Sequence, residues 1–404
     1  MKPLKYTLTF VLVVISLTLI SGSFRKEPIP EDIIDPPSPF EIPEAHSNLF
    51  EQYLSFIEAE MDTTNNVGAA LAIVIGDKVD FMKTYGVKQA GTTDSVDIHT
   101  VFRLASVSKG FAGVLAAKLE NEHMIDLDSK LTNYLPGLRF RQASFTNVLT
   151  IKHTLNQSTG LASHAFDNLI ETDASMHEII SRFSEVEVAG KPGETYSYQN
   201  AIYSLIDTIL RVNYDQTYAE MLDQKIFEPL GMVNASTDFE TMINCGNFAM
   251  PHSGEGKAVK TLEPNNRYYN TVPAAGVNAS ISDMSIWLKA LLGCYPSVID
   301  SNVQRAISTP AIETPLKRHY TARWKGIEAK YYSLGWRIYK YKGYNIIYHG
   351  GYVKGYRAEI SFCPELNTGI VFMQNSPNRL SSESVPVFWD LYFAQLEEAT
   401  LAIK

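Results

Sequence analysis

The sequence predicts an α/β chain of the α+β kind: one antiparallel sheet built from both ends of the chain, flanked by helices, with a large, mostly helical insertion between them. Three observations carry this. An apolar strand-like run at 69–75 and a second strand-like segment at 78–85 flank Gly76-Asp77, which is the pattern of a β-hairpin. Four more strand-like segments crowd into 334–374. Between about 106 and 330 the apolar residues recur mostly with helical spacing. The sheet is therefore expected from about 66–105 and 331–376, with the helical region at about 106–330. Strict alternation of strand and helix, the mark of a parallel sheet, is absent.

The elements follow in order. Residues 47–61 repeat Leu, Phe, Tyr and Ile on one helical face. The hairpin comes next. Helices are expected at 106–121, 202–212, 218–226 and 281–292. Strands are expected at 334–341, 345–349, 356–362 and 368–374, joined by short loops. A final amphipathic helix at about 385–396 is suited to covering one sheet face.

The chain has 404 residues, 45% hydrophobic and 20% charged, with a formal net charge of −9. That composition supports a large core. No basic stripe is present, so nucleic acid is not expected as a partner. Lys2 and Lys5 precede an apolar run at 8–20 that ends in Ser21-Gly22-Ser23. The run is short for a membrane span, so residues 1–23 read as a secretory signal peptide. The alternative is an uncleaved tether through residues 8–20. The Pro-rich stretch at 24–46 reads as a spacer, and 47–404 as the folded domain. The protein is expected across the inner membrane, in the periplasm, as a monomer or membrane-anchored. Of three Cys residues, Cys245 and Cys294 are a candidate disulfide in an oxidising compartment, and Cys363 reads as a small buried apolar group. The nine His residues lack metal-ligand spacing, so no metal is expected.

Chemistry concentrates in three short motifs. Ser106-Val-Ser-Lys109 lies where an extended stretch gives way to a helix, and a Ser and a Lys three apart share one helical face. A hydroxyl beside an amine at a helix N-terminus is a candidate acyl-accepting nucleophile. Alone, the same residues also describe an N-cap Ser and a solvated Lys. A second copy, Ser23-Phe-Arg-Lys26, has no helix behind it. Tyr198-Gln-Asn200 precedes another helix: a Tyr near ammonium groups has a lowered pKa and acts as a base, and an Asn orients a substrate amide. The plain alternative is a buried Tyr and an Asn cap. A similar phrase, Tyr268-Tyr-Asn270, lacks both the Pro-Gly lead and the helix. His349-Gly350-Gly351 closes a strand. Its glycines admit a ligand or another backbone and let the Tyr352 amide face an oxyanion; otherwise they form a hairpin turn.

In that order, Ser106-x-x-Lys109, Tyr198-x-Asn200 and His349-x-Gly351 resemble the class C β-lactamase and DD-peptidase superfamily of penicillin-recognising serine hydrolases. The segments Thr150–Leu161, Ile226–Met232, Ala275–Asp283 and Leu334-Gly-Trp336 are similar to further phrases of that family, and the likeness spans about 47–400. The resemblance implies a β-lactamase/transpeptidase-like fold and an acyl-enzyme on Ser106, with Lys109 and Tyr198 as its acid–base partners. It implies an oxyanion hole from the Ser106 and Tyr352 amides, substrate contact by Asn200, and no cofactor. The family's third motif is Lys-Thr-Gly in lactamases. Here His349 is only partly protonated near neutral pH, and Gly350 lacks the hydroxyl that contacts a substrate carboxylate. Arg357 or Lys354 is the candidate replacement cation; a surface strand Arg is the plain alternative. The implied substrate is a small molecule or peptide: a β-lactam or D-Ala-type peptide, alternatively an ester. A penicillin-binding sensor or scaffold without turnover is the remaining reading.

Overall fold

A computed structural model describes residues 47–254, 258–316 and 323–402. The signal and spacer expected at 1–46 lie outside the described residues. Helix α1, Ser47–Thr64, leads into the hairpin β1, Gly68–Ile75, and β2, Lys78–Gly86. Gly76 holds φ at +67° in the turn. The remaining sheet strands are β3, Ile312–Glu313; β4, Ile327–Tyr332; β5, Arg337–Tyr341; β6, Tyr344–Val353; β7, Tyr356–Cys363; and β8, Thr368–Gln374. They form one eight-stranded sheet in the order β2-β1-β8-β7-β6-β5-β4-β3. Every pairing is antiparallel. Strand β1 joins the C-terminal strands through β8, with Leu71 opposite Phe372.

The sheet is covered on both sides, which is why β1 reads Ala-Ala-Leu-Ala-Ile-Val-Ile without alternation. Ala69, Leu71 and Ile73 face α1 and the terminal helix; Ala70, Ala72 and Val74 face the helical region. The terminal helix runs over Arg379–Ala402 and passes through Pro386. It lies along α1, with the rings of Tyr53 and Phe388 5.6 Å apart, and Trp389 Nε1 donates to Ser361 Oγ across the sheet face at 2.9 Å. On the opposite face pack α2, Ser108–Asn121, and the helix Ile281–Leu291.

Several expectations need correction. The sheet begins earlier than 331, because β3 is only two residues long and β4 carries Glu328 and Lys330 within a short run. The helix expected at 202–212 opens with a 3-10 turn, Ile202–Ser204, before the α-helix Leu205–Tyr214. Strand β6 continues through His349-Gly350-Gly351 to Val353; the turn falls at Lys354-Gly355, where Gly355 takes φ +92°. The Cys245–Cys294 disulfide is not formed: all three thiols are free, and Cys294 Sγ donates to Gly76 O at 3.7 Å. Cys363 is buried, as expected, and burial pushes its thiol up.

Helix α2 carries the site, and its seat is tight. A Cβ at Gly113 would lie 1.9 Å from Leu334 O. In a helix interior Gly→Ala ordinarily stabilises by about 1 kcal/mol. Here Gly113→Ala is expected to do the reverse, costing about 1–3 kcal/mol through overpacking, as read by chemical denaturation.

Candidate active site

A two-residue strand, Phe102–Arg103, pairs with Asn278–Ala279 and leads to a 3-10 turn, Ala105–Val107, that runs into α2. Ala105 holds φ at +48°, a left-handed conformation that costs a non-glycine residue about 1–2 kcal/mol. The turn sits against β6. A Cβ at Gly351 would lie 2.1 Å from Leu104 O and 2.9 Å from Ser106 N, so only glycine lets these two backbones meet. Ser106 is half-buried at the junction. Val107 is the cap of α2 and makes no side-chain cap bond, so Ser106 is not the N-cap.

Lys109 is fully buried in the first turn of α2. Its Nζ donates to Asn200 Oδ1 at 2.7 Å and to Ala274 O at 2.9 Å, and lies 3.5 Å from Ser106 Oγ. The same Nζ is 4.7 Å from the Tyr198 ring centroid. Tyr203 Oη donates to Lys109 O at 2.7 Å and pins the start of the helix. Burial pushes the Lys109 amine well below its ordinary range; Asp167 opposes this and Arg337 reinforces it.

The Tyr198 phenol is raised, because burial outweighs both the Arg337 cation and the neighbouring Ser106 hydroxyl, which favour loss of its proton. The expected lowering is thus reversed: spacing along the chain shows nearby cations but not how little water the group keeps. Asn200 is buried and engaged on both sides, accepting from Lys109 and donating from Nδ2 to Asp167 Oδ1 at 2.9 Å. Asp167 Oδ2 meets His164 Nδ1 at 2.8 Å, and the His164 ring lies 5.5 Å from that of Tyr198.

His349 is fully buried. Its Nδ1 is 3.0 Å from Gly350 O, which can only accept, so Nδ1 carries the proton and Nε2 accepts from Tyr332 Oη at 3.0 Å. Burial, then Arg337 and Lys109, push the imidazole well below its ordinary range. It is neutral at physiological pH rather than partly charged.

Register decides which residues share this cleft. His349 and Gly351 pair with Ile360 and Ala358, on the face that packs against the helical region. Gly350 and Tyr352 pair with Glu359 and Arg357, on the other face. There the guanidinium of Arg357 forms an ion pair with Glu359, which is buried and also accepts from Tyr348 Oη. The structure therefore gathers Ser106, Lys109, Tyr198, Asn200, His349 and Gly351. It directs the side chains of Arg357 and Tyr352 elsewhere, and Lys354 is exposed in the turn.

Four contributors escaped the sequence reading: Asp167, His164, Tyr332 and Arg337. Arg337 opens β5 directly after Leu334-Gly-Trp336, a phrase already singled out. A charge at the head of an apolar strand was the available signal. Together the groups present a half-buried hydroxyl between a phenol and an amine that burial holds toward its neutral form. That is an arrangement for activating a nucleophile.

Comparison with known proteins follows the same lines. A family model described as Beta-lactamase matches residues 55–386, a span that includes every residue of the site. Protein flp of Staphylococcus aureus (strain NCTC 8325 / PS 47) is 24% identical over 341 residues, covering 83% of this chain and 64% of that protein. Unguisins hydrolase ungD' of Aspergillus campestris (strain IBT 28561) is 24% identical over 345 residues, covering 81% of this chain and 62% of its own length. The chain thus spans less than two thirds of these curated relatives. The octameric penicillin-binding protein homologue from Pyrococcus abyssi shares the fold, with a TM-score of 0.75 at 23% identity, covering 85% of this chain and 77% of that one.

The neutral His349 predicts a pH dependence of stability. Its folded pKa lies below the unfolded value of about 6.5, so the unfolded state binds more protons as pH falls below that value. Stability is then lost at up to about 1.4 kcal/mol per pH unit for this one group. In denaturation from pH 7 to pH 5, His349→Gln is expected to show a shallower loss than the wild type.

Proposed function

The chain belongs to the beta-lactamase family, in the superfamily of β-lactamases and penicillin-binding transpeptidases that share serine-hydrolase chemistry, and on that premise we propose that it is an acyl hydrolase forming its acyl-enzyme on Ser106. The observation that carries this reading is the buried Lys109 amine 3.5 Å from a half-buried hydroxyl. With the amine held toward its neutral form, Lys109 takes the proton as Ser106 Oγ attacks the substrate carbonyl. Tyr198, protonated at rest and close to Ser106, passes a proton to the leaving group and is re-protonated through Lys109. Water repeats the sequence to release the acid. The amides of Ser106 and Tyr352 receive the oxyanion; the close approach at Gly351 supports this, and one such donor is worth about 3–4 kcal/mol. If residues 1–23 direct export, the reaction takes place outside the inner membrane.

Two substrate classes compete. A β-lactam or D-Ala-type peptide carries a carboxylate next to the scissile amide. An ester lacking that carboxylate is the second reading, and three observations favour it. His349 is neutral, Gly350 has no hydroxyl, and Arg357 is committed to Glu359. Parallel assays with p-nitrophenyl acetate and nitrocefin separate the two, since faster nitrocefin turnover would remove the ester reading. Intact mass after incubation with a fluorescent penicillin reports acylation, and a persistent adduct would mark a sensor instead of a hydrolase. Ser106→Ala is expected to abolish the adduct and to lower turnover by at least about a thousandfold, with its melting temperature close to that of the wild type.

A further inference from the structure

Arg337 opens β5 at the cleft end of the sheet. Its Nη1 donates to Tyr196 Oη at 3.2 Å, and its guanidinium carbon lies 5.5 Å from the Tyr198 ring centroid and 5.7 Å from that of Tyr332. Phenols surround the guanidinium, those of Tyr196, Tyr198 and Tyr332, and among the described residues it forms no ion pair with a carboxylate. Its charge therefore remains available to the cleft. Arg357, the other cation near the third motif, is neutralised by Glu359 on the far face.

We propose that Arg337 is the positioning residue of this site: from the strand beside the third motif it supplies the fixed positive charge that His349 does not, and through that charge it sets the protonation states in which Lys109 and Tyr198 act on Ser106. The inference rests on the acyl-transfer reading above. Lys109 Nζ and the guanidinium approach the same Tyr198 ring to 4.7 and 5.5 Å, which caps their separation at about 10 Å. Across that distance in a partly buried site, one unit charge moves a neighbour's titration by about one pH unit. Both effects have a useful sign. A fixed cation disfavours the ammonium form of Lys109, leaving a base, and favours loss of the Tyr198 proton. The burial-driven shifts of both groups include this contribution from Arg337. Other titratable groups surround the cluster: His164 and Asp167, the latter opening the short helix Asp167–Glu171, Tyr203, Lys330 and Tyr332 from β4, Tyr339 from β5 and His349 from β6, while Arg357 acts on His349 from the other face of the sheet. Among these, Asp167 acts on Lys109 in the opposite sense.

The test is the rate at which an uncharged fluorophosphonate labels Ser106, followed by intact mass from pH 5 to 10, for wild type, Arg337→Lys and Arg337→Met. The acid limb of the wild type reports Lys109 losing its proton. In Arg337→Met it is expected to move up by about one pH unit. Labelling should then fall about tenfold below the limb and approach the wild-type rate above it. Arg337→Lys should keep the wild-type limb. Should Arg337→Met fail to fold, Tyr196→Phe, which removes the bond that holds the guanidinium, serves in its place and should move the limb in the same direction. A pH-independent loss of rate would overturn the proposal in favour of a structural role. An unchanged limb with a raised KM for nitrocefin alone would overturn it in favour of a substrate-carboxylate receiver. Failure of the wild type to label at Ser106 would instead remove the acyl-transfer reading itself.

Discussion

The contact between the Leu104–Val107 backbone and Gly351 is the constraint on which the rest depends. It joins the turn that bears Ser106 to the strand that bears the third motif, with no side chain between them. A Cβ at Gly351 would separate the two by more than any neighbour could absorb, since its nearest atoms are backbone. The strained φ of Ala105 lies within this contact. Strain of that size persists only where the surroundings over-determine the conformation. Here they do: Phe102–Arg103 is held by Asn278–Ala279 on one side, and α2 is held by Leu334 and by the Tyr203–Lys109 bond on the other. The Ser106 hydroxyl is thereby fixed against the end of a central strand of the sheet.

Burial, more than pairing, governs the electrostatics of the cleft. Lys109 makes two good hydrogen bonds and feels Asp167, and both of these favour the ammonium; desolvation still dominates. The same competition raises Tyr198 and neutralises His349. In a wetter site this desolvation would be relieved, and the amine would stay charged. The apolar packing on this face of the sheet therefore governs the charge state of the cleft.

Much of this was legible in the chain. Hairpin, C-terminal strands and final helix follow from period-two and helical patterning, and the three motifs locate Ser106, Lys109, Tyr198, Asn200, His349 and Gly351. What stayed hidden depends on three dimensions. Arg357 sits eight residues after His349 and reads as a neighbour, but period-two alternation across the β6–β7 pairing sends it to the opposite face, beside Glu359. Arg337, twelve residues before His349, reads as remote, and it pairs with Tyr348 on the Gly350 face; yet it stands at the end of β5, and its guanidinium carbon lies 5.5 Å from the Tyr198 ring centroid. Burial of His349 is equally invisible in a Tyr-His-Gly-Gly string, because it depends on how Tyr332 and the helical region fold against that strand.

The charge count of the cleft then limits how it can work. Lys109 and Arg337 lie within about 10 Å of each other, and two full positive charges at that range repel by about 1–2 kcal/mol at an effective dielectric near 20. One carboxylate, Asp167, faces them, and it is shared with His164. A site holding a charged guanidinium, a charged amine and a neutral imidazole would carry uncompensated charge away from water, which is costly. The amine is the group able to discharge, since guanidinium does not lose its proton in proteins. Arg337 is thus a permanent charge and Lys109 a switchable one. In the acyl transfer proposed above, Ser106 would give up its proton to Lys109, and the new ammonium would form beside the oxyanion developing on the substrate. The charge that is unfavourable at rest would then be favourable at the moment of bond formation, which is the differential stabilisation that catalysis requires.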